Sequence, residues 1–337
     1  MWSQKILLKQ FGSIIMAIVV FILTGCINNH NEIKNDRIYT QLHNVANITA
    51  FETAESTDYI VTAPCVYCYD GYTYIIRNFP SEMIYTAENV NNHVQNGEVS
   101  NIVEVYKDFN FQEAEKVIEL KGITGKKYVY YGIEVTKDLI RILIREQTEG
   151  SYFTKLIVFN HNGDLVDEYC LPIGYAYNII LNGNILYYIK NKTILNNEVK
   201  SLCLFAYILD KGEELYIDDD VMSVFLSSQY VFFIKAQSSQ NKSDYYSLYK
   251  ITYNENISTV LLRDVDIHGE ITSAAYDYDS NILYCVDYST IYCITDTEEK
   301  SVLSATNTYA DIKALTGNFL IIQVGNNQVS IYEKIEM

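Results

Sequence analysis

Proline and glycine are scarce in this chain, at 3 and 15 of 337 residues. That excludes collagen-like and proline-rich classes. Positive charge is scarce as well: 25 Lys and Arg stand against 42 Asp and Glu, a formal net charge of −17. Such a balance repels nucleic-acid phosphates and anionic lipid, so neither DNA nor RNA is an expected partner. Histidine is thin, and His30, His43, His93, His161 and His268 are scattered. There is no His-Glu-x-x-His and no Gly-x-Ser-x-Gly, and Gly122-Ile123-Thr124-Gly125-Lys126-Lys127 lacks both the spacing and the Ser or Thr of a phosphate-cradling loop. No cofactor, metal or catalytic residue is therefore expected, and an enzyme is the less favoured reading. What the chain does have is 49% hydrophobic residues, only 20% charged ones, and 31 tyrosines. That is the composition of a folded, strand-rich protein.

The N-terminus carries Lys5 and Lys9, an apolar run over residues 11–23, and then Leu23-Thr24-Gly25-Cys26. A short basic region, an apolar stretch and small residues before a cut describe a secretory signal. The run is shorter than the roughly 20 residues that span a bilayer as a helix. Its last four residues resemble the bacterial lipobox, in which the Cys is diacylated and becomes N-terminal. The resemblance implies a signal peptide over 1–25 and a lipidated Cys26. After Cys26 comes a polar tether to residue 45, with Asn28, Asn29, Asn31 and Asn35, and then a β domain over 46–337. The expected location is the extracytoplasmic side of a cell membrane, with the membrane a partner through the lipid.

A repeat runs through that domain. A small polar pair followed by a β-rich run recurs with Tyr72, Leu139, Ile185, Tyr230, Ile282 and Phe319 as marks, and after the first interval the steps are 46, 45, 52 and 37 residues. Each mark is followed by further alternating strands around turns such as Asn160-His161-Asn162-Gly163-Asp164 and Asp210-Lys211-Gly212, the chemistry that hairpins demand. Four short strands in roughly 45 residues is the arithmetic of a propeller blade. First strands are expected near 59–62, 128–131, 175–181, 221–225 and 270–276. A last unit over 309–336 has only three strands, so the ring needs a closing strand from the N-terminal side, with 46–51 the candidate. The expectation is an all-β, six-bladed β-propeller of four-stranded antiparallel blades; seven blades or a β-sandwich are the alternatives. The run Ala275-Tyr276-Asp277-Tyr278-Asp279-Ser280-Asn281-Ile282-Leu283-Tyr284-Cys285-Val286-Asp287 resembles the inner hairpin of TolB-like and NHL-like six-bladed propellers. Such folds share no single function.

In such a blade, the second-to-third and blade-to-blade connections share one face, and that face gathers the longest insertions. Binding is expected there. First-strand residues near the axis are candidate ligand contacts: Tyr128, Tyr130, Tyr175, Tyr177, Tyr309 and Asp311, each pair spaced by two and so sharing a face of its strand. Tyrosine suits stacking on sugars or peptides. Asp218, Asp219 and Asp220, and Asp264, Asp266 and His268, are candidate polar contacts. The second group fails as a calcium loop, because position five is His268 and position twelve is Ala275, where a bidentate Glu is needed. Cys65, Cys68, Cys170, Cys203, Cys285 and Cys293 are read as thiols packed on apolar strands, with a Cys65–Cys68 or Cys285–Cys293 bridge as the alternative. The functional expectation is a binding protein for an extracytoplasmic ligand or protein. An envelope enzyme acting on glycans or peptides and a scaffold subunit of an envelope complex are the rivals.

Overall fold

The computed structural model describes residues 39–336 apart from 50–64, 81–98, 108–110, 112, 124–128, 149–150, 195–197, 228–229, 238–244, 255, 267–269, 296–298, 305–309 and 325–327. Residues 1–38, on which the expected signal peptide, Cys26 and most of the expected tether fall, lie outside the described residues. So does the expected strand at 59–62.

The strands, in chain order, are β1 (Tyr39–Thr49), β2 (Cys65–Tyr69), β3 (Tyr72–Pro80), β4 (Val99–Lys107), β5 (Lys116–Glu119), β6 (Val129–Val135), β7 (Leu139–Thr148), β8 (Ser151–Asn160), β9 (Leu165–Leu171), β10 (Tyr177–Asn182), β11 (Ile185–Ile194) and β12 (Glu198–Ile208). They continue with β13 (Glu213–Asp218), β14 (Val221–Ser227), β15 (Tyr230–Ala236), β16 (Tyr245–Asn254), β17 (Asn256–Asp266), β18 (Ser273–Asp277), β19 (Ile282–Asp287), β20 (Thr290–Ile294), β21 (Glu299–Ser304), β22 (Ala310–Thr316), β23 (Phe319–Val324) and β24 (Gln328–Glu336). The residues that mark the sequence repeat are the first residues of β3, β7, β11, β15, β19 and β23. The turns before them explain why. Asp70 and Gly71 both take positive φ, 51° and 76°, which a two-residue turn matched to strand twist requires.

Strands β2–β5, β6–β9, β10–β13 and β18–β21 form four separate four-stranded antiparallel sheets. An eight-stranded sheet, in the order β1-β24-β23-β22-β14-β15-β16-β17, stands where two more separate sheets were expected; its halves meet through a parallel bridge between Ser227 and Leu315. The first strands form a circuit: β2 lies against β6, then β10, β14, β18 and β22 follow, and β22 returns to β2. The chain is a β-propeller with its first strands innermost. The innermost strand of the first sheet is β2 rather than a segment at 59–62, which puts Cys65 and Cys68 beside the axis.

Closure comes from the N-terminal side. β1 pairs antiparallel with the whole of β24, from Tyr39 opposite Glu336 to Thr49 opposite Gln328. The pairing begins at Tyr39 rather than at Ala46, because β24 presents nine residues to be matched. Ile48 of β1 packs with Val66, Ile75, Ile321, Val329 and Ile331, so the same strand helps to fill the interface between the last sheet and the first. Other interfaces are built alike, with Tyr74, Ile142 and Phe159 buried between the first two sheets.

Buried polar groups tie the sheets at fixed points. Glu134 accepts from the Gly183 amide at 2.8 Å and from Arg141, joining β6 to the β10–β11 turn. Lys334 of β24, with its side chain 2% exposed, donates to Asp277 Oδ2 of β18 at 2.7 Å. Burial alone would raise the Asp277 carboxyl, but the Lys334 bond and charge, with Ser280, outweigh it and hold the group below the ordinary carboxylate range.

The six cysteines of the described residues form no disulfide with one another. Cys65 packs towards the second sheet and Cys68 towards the last, while Cys285 and Cys293 belong to clusters on opposite faces of their sheet. Neither pair can form the bridge weighed from the sequence, since each places its thiols on different faces. Cys170 lies exposed on β9.

Ile48→Ala should cost about 2–5 kcal/mol in denaturant unfolding, the usual range for truncating a buried Ile. A loss below about 0.5 kcal/mol would mean that β1 does not seal the ring. A carboxyl with a lowered native pKa contributes stability that is complete above its unfolded pKa of about 3.9 and is lost as pH falls through the native value. Asp277→Asn should therefore destabilise the protein by about 3 kcal/mol at neutral pH and flatten the acid limb of its stability curve, as followed by thermal melting between about pH 2 and 6.

Candidate functional site

Four of the innermost strands carry an extra residue at a comparable level. Register slips between Tyr130 and Gly132 on β6, Tyr177 and Ile180 on β10, Val221 and Ser223 on β14, and Ile312 and Ala314 on β22. In each case the additional residue is on the inner strand. β2 and β18 pair without a slip. A bulge bends its strand and re-aims a side chain. Tyr131, Asn178, Met222 and Lys313 sit in these bulges, and all four line one cavity of about 560 Å³. Asn178 has φ of 47°, a left-handed conformation that Asn tolerates better than most residues.

The cavity opens at the end of the ring where the second-to-third hairpins and the blade links lie. Arg145, near the end of β7, and Tyr175 and Ala176, in the link between β9 and β10, contribute to its wall, as does Thr272 before β18. This is the face expected from the sequence to carry the site. The Arg145 guanidinium lies 4.7 Å from the Tyr131 ring centre and 4.5 Å from that of Tyr175, and its Nη2 donates to Ala176 O at 3.0 Å. Tyr175 and Tyr177 meet edge to face at 5.0 Å and remain 53% and 39% exposed. Asn191 Nδ2 donates to the Tyr177 hydroxyl at 3.3 Å, and Asn178 Nδ2 to Ser223 Oγ at 3.1 Å. Asp311 Oδ2 accepts from Lys313 Nζ at 2.6 Å. Among the described lining residues the charged groups are thus Arg145, Lys313 and Asp311, a local excess of positive charge in an acidic chain.

Of the residues singled out in the sequence, Tyr175, Tyr177 and Asp311 come together here. Tyr130 does not: it is buried between the first two sheets, with its hydroxyl donating to Asn101. Asp218 and Asp219 accept from Lys235, the latter at 3.0 Å, while Asp220 occupies the turn with φ of 55°. That hydrogen bond lowers the Asp219 pKa; for Lys235, burial pulls the ammonium down, but the two carboxylates outweigh it and raise it. Asp264 accepts from Gln237 Nε2 at 2.7 Å and Ser247 Oγ at 2.8 Å. Neither acidic group lines the cavity. Asp266 ends β17, with its side chain outside the described residues, and Tyr128, His268 and Tyr309 lie outside them altogether. Among the described residues, no three of His, Cys, Asp and Glu are grouped to hold a metal. Tyr131, Arg145, Asn178, Met222 and Lys313 were not foreseen. The one signal for them was a Lys and an Asn interrupting otherwise apolar inner strands.

No family model matches the chain, and no curated protein matches it. Solved structures similar to it include a gluconolactonase from Xanthomonas campestris, with a TM-score of 0.41 and 10% identity over 69% of this chain and 81% of that one. Another is the acylaminoacyl peptidase of Pyrococcus horikoshii, with a TM-score of 0.44 and 9% identity over 86% of this chain and 54% of that one. The propeller assignment rests on the strand order and the circuit of inner strands.

Removing the Arg145 guanidinium takes away two ring contacts and the bond to Ala176. Arg145→Ala should lower stability by about 1–2 kcal/mol and raise amide hydrogen exchange in the β9–β10 link, measured by mass spectrometry. Unchanged exchange there would show that Arg145 does not hold the link.

Proposed function

We propose that this protein is a membrane-tethered binding protein that receives a ligand in the mouth of a six-bladed propeller. The count of six treats the eight-stranded sheet as two blades, β14–β17 and β22–β24 with β1, joined at the Ser227–Leu315 bridge. The tether is Cys26 in Leu23-Thr24-Gly25-Cys26, similar to the lipobox, and it would hold the ring on the extracytoplasmic side of a cell membrane. Kinship with TolB-like and NHL-like propellers remains a resemblance of period and of the β18–β19 hairpin.

The observation that carries the binding reading is the coincidence of four inner-strand bulges around one open cavity. Bulges interrupt ladder pairing, and they are over-represented at sheet edges and next to active sites. Their product is a mouth with two exposed tyrosines, a guanidinium against aromatic rings, and a Lys–Asp pair. Rings with polar tips beside fixed charges are the usual means of orienting a small ligand in a concave site. One described carboxylate, Asp311, faces the cavity, whereas glycoside hydrolysis generally uses two flanking the scissile bond; the arrangement favours holding a ligand over cleaving one.

Fatty-acid labelling in the producing cell should mark the wild type and leave Cys26→Ser unlabelled; an unlabelled wild type would overturn the tether. On glycan and peptide arrays the full chain should retain a discrete set of ligands. Replacing both Tyr175 and Tyr177 by Ala should weaken that retention about tenfold or more, the loss of one or two good contacts. Retention unaffected by the double replacement, or turnover of a retained glycan, would refute the reading.

A further inference from the structure

The ring interior does not end at the mouth. A second cavity of about 150 Å³ lies among the inner strands and shares Tyr131, Ile179, Ile180 and Lys313 with the first. The two adjoin along these four residues. Beyond Lys313 the inner section is bounded by the apolar Val66, Ile133, Leu181, Leu226 and Leu315 and by Tyr67 and Thr316, and Lys313 is the charged side chain among its described lining residues. Its far end lies where β14 and β22 converge at the Ser227–Leu315 bridge.

Cys65 and Cys68 also face this section. Burial pushes the Cys65 thiol up to about 11, with Lys313 pulling the other way, and burial raises Cys68 as well. They are neutral at physiological pH and line the wall as small apolar groups. The inner section's volume matches that of a cavity engineered in another protein that admits benzene. The Lys313 side chain at its entrance is 39% exposed and pairs with Asp311; with Arg145 added, the recess keeps a net positive charge, opposite in sign to the chain.

We propose that the ligand of the mouth is an amphiphilic carboxylate, whose benzene-sized apolar end passes Lys313 into the inner section while its anionic end stays beside Lys313 and Arg145. The proposal rests on the reading of the mouth as a ligand site and adds the ligand's chemical class. The two sections then do separate work: the inner one removes apolar surface from water, and the outer one selects charge.

Gly132 supplies a clean test. It lines the inner section, has an ordinary φ, and a Cβ built on it meets nothing within 4 Å. Gly132→Leu should therefore fill the recess without disturbing packed neighbours, and an unchanged melting temperature verifies that. The probes are 3-phenylpropionate, 3-phenylpropan-1-ol and propionate, titrated calorimetrically into the full chain in lipid nanodiscs against empty nanodiscs. The wild type should bind 3-phenylpropionate at least about tenfold more tightly than either of the other two. Gly132→Leu and Lys313→Gln should each lose about that factor for 3-phenylpropionate. If Gly132→Leu lowers the melting temperature, competition of xenon with 3-phenylpropionate in the wild type replaces it, and xenon should displace the aryl group.

Equal affinity for the acid and the alcohol, undiminished binding in a folded Gly132→Leu, or no displacement by xenon would overturn the proposal. So would a wild type that does not bind 3-phenylpropionate. Array ligands lost on replacing Tyr175 and Tyr177 but kept by Gly132→Leu would leave the mouth a binding site and refute only its inner extension.

Discussion

The ladder between β1 and β24 is the constraint on which the rest of the molecule depends. A four-stranded sheet in this chain is apolar on both faces, as the burial of consecutive residues along β15 and β19 shows. It cannot shield those faces alone, and a row of such sheets would leave the first and last uncovered. The ring removes both exposed faces at once, but only if the last sheet is complete. Its fourth strand comes from the opposite end of the described chain, and Ile48 on that strand is itself part of the packing against the first sheet. Pairing and interface burial are thus achieved by the same eleven residues. Their sequence separation from β24 makes this a contact with a high loop-closure cost.

Closure also fixes the axis, and the axis is where the mouth is built. An innermost strand has one edge paired to its neighbour and one edge towards the channel. A regular strand there would present its side chains to the two flanking interfaces, not to the channel. The bulges at Tyr131, Asn178, Met222 and Lys313 depart from that rule. Each gives up some ladder regularity, tolerable because the rest of the sheet is locked between its neighbours. Rigid sheets therefore hold an irregular inner layer, a better platform for a site than a loop would be.

Much of this architecture was legible before the structure. The turn-plus-run motif located the start of the second strand in every sheet, because turn chemistry and β-branched or aromatic runs are local properties. The need for an N-terminal closing strand followed from counting strands in the last unit. The side-chain assignments at the axis were less legible, and Tyr130 shows why. Spacing by two predicts that residues share a face, but the slip between Tyr130 and Gly132 changes which residue the channel receives, and Tyr131 takes the place given to Tyr130. A bulge is a property of two strands in register, and a polar residue in one strand, such as Asn178 or Lys313, does not by itself locate it. The acidic runs misled for a related reason: Asp218 and Asp219 share the ammonium of Lys235 on β15, in the next sheet. The first inner strand is β2 rather than 59–62 because β2 is the run that the Asp70-Gly71 turn joins directly to β3.

The electrostatics of the mouth follow from the same geometry. A net charge of −17 creates a repulsive field for any anion approaching the outer surface, yet at physiological salt that field decays over about 8 Å. Inside the recess, screening ions are fewer and the low-dielectric walls lengthen the reach of each fixed charge. Arg145 and Lys313 therefore govern what happens at the axis even though they are a small part of the total. Arg145 is held by two rings and a backbone carbonyl, and Lys313 by Asp311 on its own strand, so neither must be ordered when a ligand arrives. Preorganised charge in a concave, aromatic-walled site lowers the entropic cost of binding. On the proposed reading it also sets an order of discrimination, in which the outer surface repels anions and the mouth receives them at one place.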